Sequence, residues 1–103
     1  MFINLTPHTV VIMDGETSTI RPSGTVARCA AITTPIGSFD EVPLSRTTYG
    51  AVEGLPAPEP GTMFVVSALV RLACPDRWDL GSPGDLVRDG TGVVVGCRGL
   101  VCN

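Results

Sequence analysis

Short runs of apolar and β-branched residues recur along the chain, and each is closed by glycine, proline or aspartate. Such punctuation predicts many short strands rather than long helices. Residues 9–13 form the first clear run. Asp14-Gly15 then supplies a hairpin signal, because both residues tolerate the positive φ of a tight primed turn, and residues 17–21 form the returning strand. Pro22-Ser23-Gly24 breaks the chain, and residues 25–32 resume as a strand with Val26, Arg28, Ala30 and Ile32 on one face. An arginine among apolar neighbours sits at the rim of an apolar cavity or pairs with a carboxylate; the pattern leaves both open.

Residues 33–38 carry loop chemistry, and residues 41–49 read as an interrupted strand that Pro43 assigns to a sheet edge. The stretch 54–61 holds three prolines and two glycines, which predicts an exposed, stiff connection rather than a domain linker. Met63-Phe64-Val65-Val66 is apolar on both faces and should be the most buried strand. Ser67 is placed to cap a short helix through Cys74, with Pro75 at its natural stop; continuation of the strand to Val70 is the alternative. Residues 75–84 are expected to be a polar, turn-rich segment. Asp89-Gly90-Thr91-Gly92 between Leu86-Val87-Arg88 and Val93-Val94-Val95 predicts a closing β-hairpin. The fold class expected is mainly β: one small domain, residues 1–103, of short antiparallel strands, barrel- or sandwich-like, with one short helix around 67–74.

Composition adds two constraints. With 103 residues there is room for one core only. Hydrophobic residues make up 44% and charged ones 17%, an apolar composition under a thin polar coat. That balance implies apolar surface buried between copies, hence a homo-oligomer. A net charge of −3 argues against attraction to nucleic-acid polymers or an anionic membrane. The first residues lack a basic region and a sustained apolar stretch, so a cytoplasmic location, in a host cell, is expected. Cys29, Cys74, Cys97 and Cys102 form no Cys-x-x-Cys pair and, with one histidine, make neither a disulfide framework nor a zinc set; no metal or cofactor is expected.

All seven basic residues are arginine, with no lysine. A guanidinium can hold a phosphate or carboxylate through two parallel hydrogen bonds, although arginine in place of lysine is also what a GC-rich genome produces. Three constellations could carry chemistry. His8, the only imidazole, lies in a turn between strand-like runs, where it could titrate near neutrality, donate to a phosphate, or simply bond local backbone. Arg46, Thr48 and Tyr49 combine a cation, a hydroxyl and the sole tyrosine, suited to phosphate, ribose and ring contacts, while Tyr49 is equally at home as a strand aromatic. Arg77, Trp78 and Asp79 form either a nucleotide clamp or a local ion pair that stabilises a turn. The motifs of P-loop, serine-hydrolase, zinc-protease and dinucleotide-binding enzymes are missing from the sequence.

Asn4-Leu5-Thr6-Pro7-His8, Pro22 through Arg28, Val66 through Val70, and Pro83 through Arg88 with Gly96-Cys97-Arg98 together resemble a family of small uncharacterised proteins of bacteriophages and their bacterial hosts. The resemblance spans nearly the whole chain and implies a phage setting rather than an activity. Phage proteins of this size include sponges such as the Sequestin and Lockin families, which capture nucleotide immune signals, and others that cleave cyclic dinucleotides. The leading expectation is therefore a phage-borne anti-defence protein that sequesters a phosphorylated nucleotide. Arg28, Arg46 and Arg77 would contact phosphate, Tyr49 and Trp78 would stack, and Thr48, Asp79 and His8 would complete recognition. The alternatives are an enzyme cleaving a cyclic dinucleotide with His8 as acid or base, and a structural or adaptor protein of the phage particle without a small-molecule ligand.

Overall fold

The computed structural model describes residues 1–103 and is mainly β, with one short helix. Its elements are β1 (Phe2–Asn4), β2 (Val10–Asp14), β3 (Glu16–Ile20), β4 (Arg28–Phe39), β5 (Val42–Glu53), β6 (Met63–Val65), α1 (Ala68–Ala73), β7 (Leu80–Arg88) and β8 (Val94–Cys102). Six strands form one sheet in the order β1-β6-β7-β8-β2-β3, and β4 with β5 form a separate two-stranded ribbon. The expected hairpins β2–β3 and β7–β8 are present, with Gly15 at the tip of the first at φ 73°. The ladders β1–β6, β6–β7 and β2–β8 are parallel, a pairing that hairpin signals do not encode.

The six-stranded sheet curls until its two edges nearly meet, and Asn4 does the joining. Its backbone bridges Pro22 and accepts from the Ser23 amide at 2.9 Å. Its side chain, 1% exposed, donates through Nδ2 to the carbonyls of His8 and Ile20, both at 2.8 Å. Its Oδ1 accepts from the Thr6 amide at 2.9 Å and the Thr6 hydroxyl at 2.6 Å. One buried amide thus ties β1, the turn at residues 6–8 and the end of β3, with every donor and acceptor used.

Two apolar clusters fill the curled sheet. Leu5, Ala27, Phe64, Val66, Val70 and Leu80 form the larger, and Val10, Val65 and Cys97 the smaller. The expectation for residues 63–66 holds at three of the four positions: Phe64, Val65 and Val66 are buried, Met63 is partly exposed, and the strand itself ends at Val65. Ser67 caps α1 as expected, its Oγ accepting from the Val70 amide at 3.3 Å, and Val70 is the helix's buried residue. All four cysteines are free; Cys97 is buried and Cys102 exposed.

Three sequence expectations are corrected. Residues 33–38 are strand, not loop: β4 runs unbroken from Arg28 to Phe39 and pairs with β5 along its length, while residues 25–27 precede it. Pro35 is accommodated because both strands of a two-stranded ribbon are edges, where a missing N–H can face solvent. Residues 81–84 belong to β7, not to a turn, since backbone pairing with β6 and β8 overrides their glycine and proline content. The tip of the β4–β5 ribbon, Asp40-Glu41, adopts left-handed φ values of 47° and 65° without the glycine or asparagine that would announce a primed turn.

The β4–β5 ribbon projects from the body as an arm. The molecule measures 50 × 39 × 23 Å with a radius of gyration of 16.3 Å, against about 13 Å for a rounded domain of this length. Where the arm rejoins the body, Gly54 has φ 79°, and a Cβ there would lie 2.5 Å from the Val26 carbonyl oxygen. Gly54→Ala is expected to cost at least ~2 kcal/mol, left-handed strain plus a backbone clash. Gly15→Ala, equally left-handed but with open space around it, should cost only ~1–2 kcal/mol; urea midpoints of the two variants check the difference.

Candidate functional site

Cross-strand partners share a face of a ribbon, and successive residues alternate between faces. On the arm the pairs Ile32↔Thr48, Thr34↔Arg46, Gly37↔Leu44 and Phe39↔Val42 therefore lie on one face. The register shifts between Pro35 and Gly37, leaving Ile36 as an extra residue. That bulge decides the chemistry of the face, because without it Phe39 would project to the other side. The opposite face carries Ala31↔Tyr49 and Thr33↔Thr47, whose hydroxyls meet at 3.0 Å. One face is therefore an apolar stripe of Ile32, Leu44, Phe39 and Val42, interrupted by Arg46, Thr34 and Thr48. Nothing in the chain covers it: Phe39 is 70% exposed and Ile32 61%.

Toward the base of the arm the same face continues through Ala30 to Arg28, which stands opposite Glu53 in register but forms no ion pair with it. There the arm, Pro7 and Leu69 of α1 enclose an open cleft of about 480 Å³ that Arg28 and Glu53 line. Of the two possibilities for Arg28, the rim of an apolar cavity is the one realised. A second cleft, about 320 Å³, lies between the turn holding His8 and the β7–β8 hairpin. Buried Val10 and Val66 and the exposed side chains of Val95 and Leu86 line it, and His8 is exposed there without a carboxylate in the lining. The one other titratable group in the lining, the Cys97 thiol, is buried and donates to the Val11 carbonyl at 3.5 Å, so the imidazole has no carboxylate with which to share a proton.

Arg77 and Asp79 adopt the ion-pair alternative. Arg77 Nε donates to Asp79 Oδ1 at 2.8 Å and Nη2 to Oδ2 at 2.9 Å, a two-pronged contact. Nη2 also donates to the Pro56 carbonyl at 2.9 Å, so the pair pins the proline-rich connection against the body. Asp79 is fully buried, and its backbone carbonyl accepts from the Phe64 amide at 2.9 Å. The hydrogen bond from the Arg77 guanidinium holds the Asp79 carboxyl below the usual carboxylate range, against the opposing effect of burial. The same bond raises Arg77 above the ordinary arginine value. Trp78 projects outward beside Met1, Phe2 and Met63, away from both clefts.

The proposed residues are thus not gathered in one cavity of a single chain. His8 lies in one cleft, Arg28 in another, Arg46, Thr48 and Tyr49 on the arm, and Arg77 with Asp79 in a structural pair. Arg46 and Thr48 share a face with Arg28, while Tyr49 is on the reverse. Of the remaining arginines, Arg71 donates to the Ser82 hydroxyl at 2.8 Å and Arg88 to the Gly92 carbonyl at 2.9 Å. Arg98 makes only a loose, exposed contact with Asp85 at 3.8 Å. Arg21, Arg28 and Arg46 have no intrachain acceptor, and two of these three stand on the arm's apolar face.

Sequence reasoning missed Asn4, whose only signal was its place beside Thr6 and His8, and Asn103, whose Nδ2 donates to the carbonyls of Arg71 in the last turn of α1 and of Cys74 and Arg77 beyond it. No group of histidine, cysteine or carboxylate side chains is arranged to hold a metal, and no helix is long and apolar enough to cross a membrane. Comparison with family models, with curated proteins and with solved structures returns no match. The functional reading therefore rests on the residues themselves.

Proposed function

We propose that this protein binds a small phosphorylated nucleotide as a homo-oligomer and acts by stoichiometric capture, as a phage-borne sponge for a nucleotide immune signal would. The observation that carries this reading is the arm face, where Arg46 stands without an intrachain acceptor beside hydroxyls and exposed apolar side chains, and Arg28, opposite Glu53 but not ion-paired with it, lines the cleft at the base. Guanidiniums placed against apolar surface are suited to phosphate, because a bidentate contact gains strength as water is excluded. Capture needs tight binding: a submicromolar dissociation constant corresponds to about −8 kcal/mol. Turnover is disfavoured by the setting of His8, whose cleft offers no carboxylate and whose one thiol, Cys97, is buried and donates to the Val11 carbonyl.

A thermal-shift panel of cyclic mononucleotides, cyclic dinucleotides and ADP-ribose derivatives tests it. A ligand at a hundredfold excess over its dissociation constant stabilises by ~2.7 kcal/mol, which for a domain of this size raises Tm by roughly 10 °C or more. Heat-denaturing the complex should return the nucleotide intact; a new product would instead support cleavage. The exposed arm also favours a second reading, a particle component that docks through the arm alone, and a flat response across the whole panel would select it.

A further inference from the structure

Arg28 and Glu53 are cross-strand partners at the base of the arm, where the ribbon meets the body. Opposite charges set directly across a ladder are close enough to pair. These two do not, and both are exposed to the same cleft of about 480 Å³. A guanidinium presents parallel donors and a carboxylate parallel acceptors, so the complement of the two is a group with adjacent acceptors beside adjacent donors. We infer that this cleft is a guanine site, in which Arg28 donates to O6 and N7 and Glu53 accepts from N1–H and the 2-amino group. The inference rests on the nucleotide reading above for the presence of a base, and it decides which base.

Guanine alone among the natural bases fits both groups at once. Its O6 and N7 form a pair of acceptors that arginine grips bidentately, and the adjoining edge carries two neighbouring N–H donors. Adenine and cytosine each set a ring-nitrogen lone pair beside the amine, which a carboxylate repels. Uracil has a single N–H between two carbonyls. The volume falls within the ~300–1,000 Å³ of small-molecule clefts, and Pro7 and Leu69 supply apolar surface for the ring.

Backbone contacts hold both charged residues in place. Just before Arg28, Ala27 is buried and its amide donates to the Leu5 carbonyl at 2.9 Å. Just after Glu53, Gly54 packs so closely on Val26 that a Cβ would lie 2.5 Å from its carbonyl oxygen. Pro7 sits in the turn that Asn4 fixes through Thr6 and the His8 carbonyl. The register shift between Cys29 and Ala31 separates this end from the rest of the arm, as bulges do where they re-aim side chains. Groups placed before the ligand arrives lose little freedom on binding. The phosphate contact stays with Arg46, further out on the same face.

Calorimetry with the guanine and adenine members of the cyclic mononucleotide and dinucleotide series tests the site. In whichever series binds, the guanine member is expected to bind at least tenfold more tightly. Inosine and 7-deazaguanine analogues remove the 2-amino donor and the N7 acceptor one at a time, and each should bind ~5-fold or more weakly, the low end for a bidentate contact. In Glu53→Gln the inosine penalty should vanish while the 7-deaza penalty stays, and Arg28→Ala should do the reverse. Arg46→Ala should weaken guanine and adenine members alike and leave the preference unchanged. Arg28 and Glu53 are exposed, so both variants should keep the wild-type circular dichroism spectrum, and the analogues read the same contacts in the wild type. Equal binding of guanine and adenine members, or a preference for adenine, overturns the guanine site and leaves the nucleotide reading standing. Analogue penalties that survive in both Glu53→Gln and Arg28→Ala place the base elsewhere and overturn the assignment. A flat response to every nucleotide removes the site and the nucleotide reading together.

Discussion

Arg77→Ala will destabilise the fold by about 3–5 kcal/mol, the loss expected when one partner of a buried ion pair is removed and the other stays behind. Asp79 is fully buried, and both of its carboxylate oxygens rely on Arg77. The same substitution frees the Pro56 carbonyl and with it the proline-rich connection. Against the 5–15 kcal/mol that holds a typical domain together, this is a large fraction. The pH dependence separates the ion pair from a simple loss of packing. In the wild type the Asp79 carboxyl is held below its unfolded value of ~3.9, so its contribution is complete above that pH and is lost as pH falls through the depressed folded value. In the variant, burial without a cation pushes the carboxyl the other way, and acid then stabilises the folded form relative to neutral pH. The gap between wild type and variant should therefore narrow from pH 7 toward pH 3, measured by urea unfolding at each pH. A gap that stays constant across that range would show that Asp79 charge is not what the pair stabilises.

Asn4→Ala carries the second-largest expected cost, about 3 kcal/mol or more. The lost amide leaves the Thr6 N–H and the Ile20 carbonyl without that partner, and the His8 carbonyl with the Thr6 hydroxyl alone. Each buried group left unsatisfied costs ~1–3 kcal/mol, and water reaching in recovers part of that sum. The effect should also be local in a telling way. Hydrogen exchange is expected to speed up in β3 and in the turn at residues 6–8 first, because Asn4 closes the sheet between β1 and β3, while β6 and β7 stay protected. Asn4→Asp is the sharper probe of the same arrangement: it keeps the acceptor for Thr6 but faces two carbonyls with a carboxylate, and it should be at least as damaging as alanine. Uniform exchange across all strands would mean that Asn4 is an ordinary core residue and not the clasp of the barrel.

Much of the candidate site was legible along the chain, though not its arrangement. The guanidiniums of Arg28 and Arg46 were visible as residue types, with the setting of Arg28 left open, and the pairing choice at Arg77 and Asp79 was visible at short spacing. Their distribution over two clefts, an arm and a buried pair was not, since convergence depends on contacts between segments tens of residues apart. Tyr49 illustrates the point. It neighbours Thr48 in sequence, and the alternation of a strand sends the two to opposite faces of the arm.

The order of polar and apolar residues by itself determined the local elements: the Asp14-Gly15 and Asp89 to Gly92 turns, the Ser67 cap and short helix, and the burial of Phe64, Val65 and Val66. These depend on backbone dihedral preferences and on side-chain alternation, which act within a few residues. Only the tertiary structure decided that Pro35 and Gly37 lie inside a strand, that residues 81–84 are sheet, and that three ladders are parallel. It also decided that one extra residue at Ile36 turns Phe39 onto the face of Leu44 and Arg46. Those outcomes come from hydrogen bonds between distant strands, whose combined energy outweighs local propensity and leaves no mark in any short window of the chain.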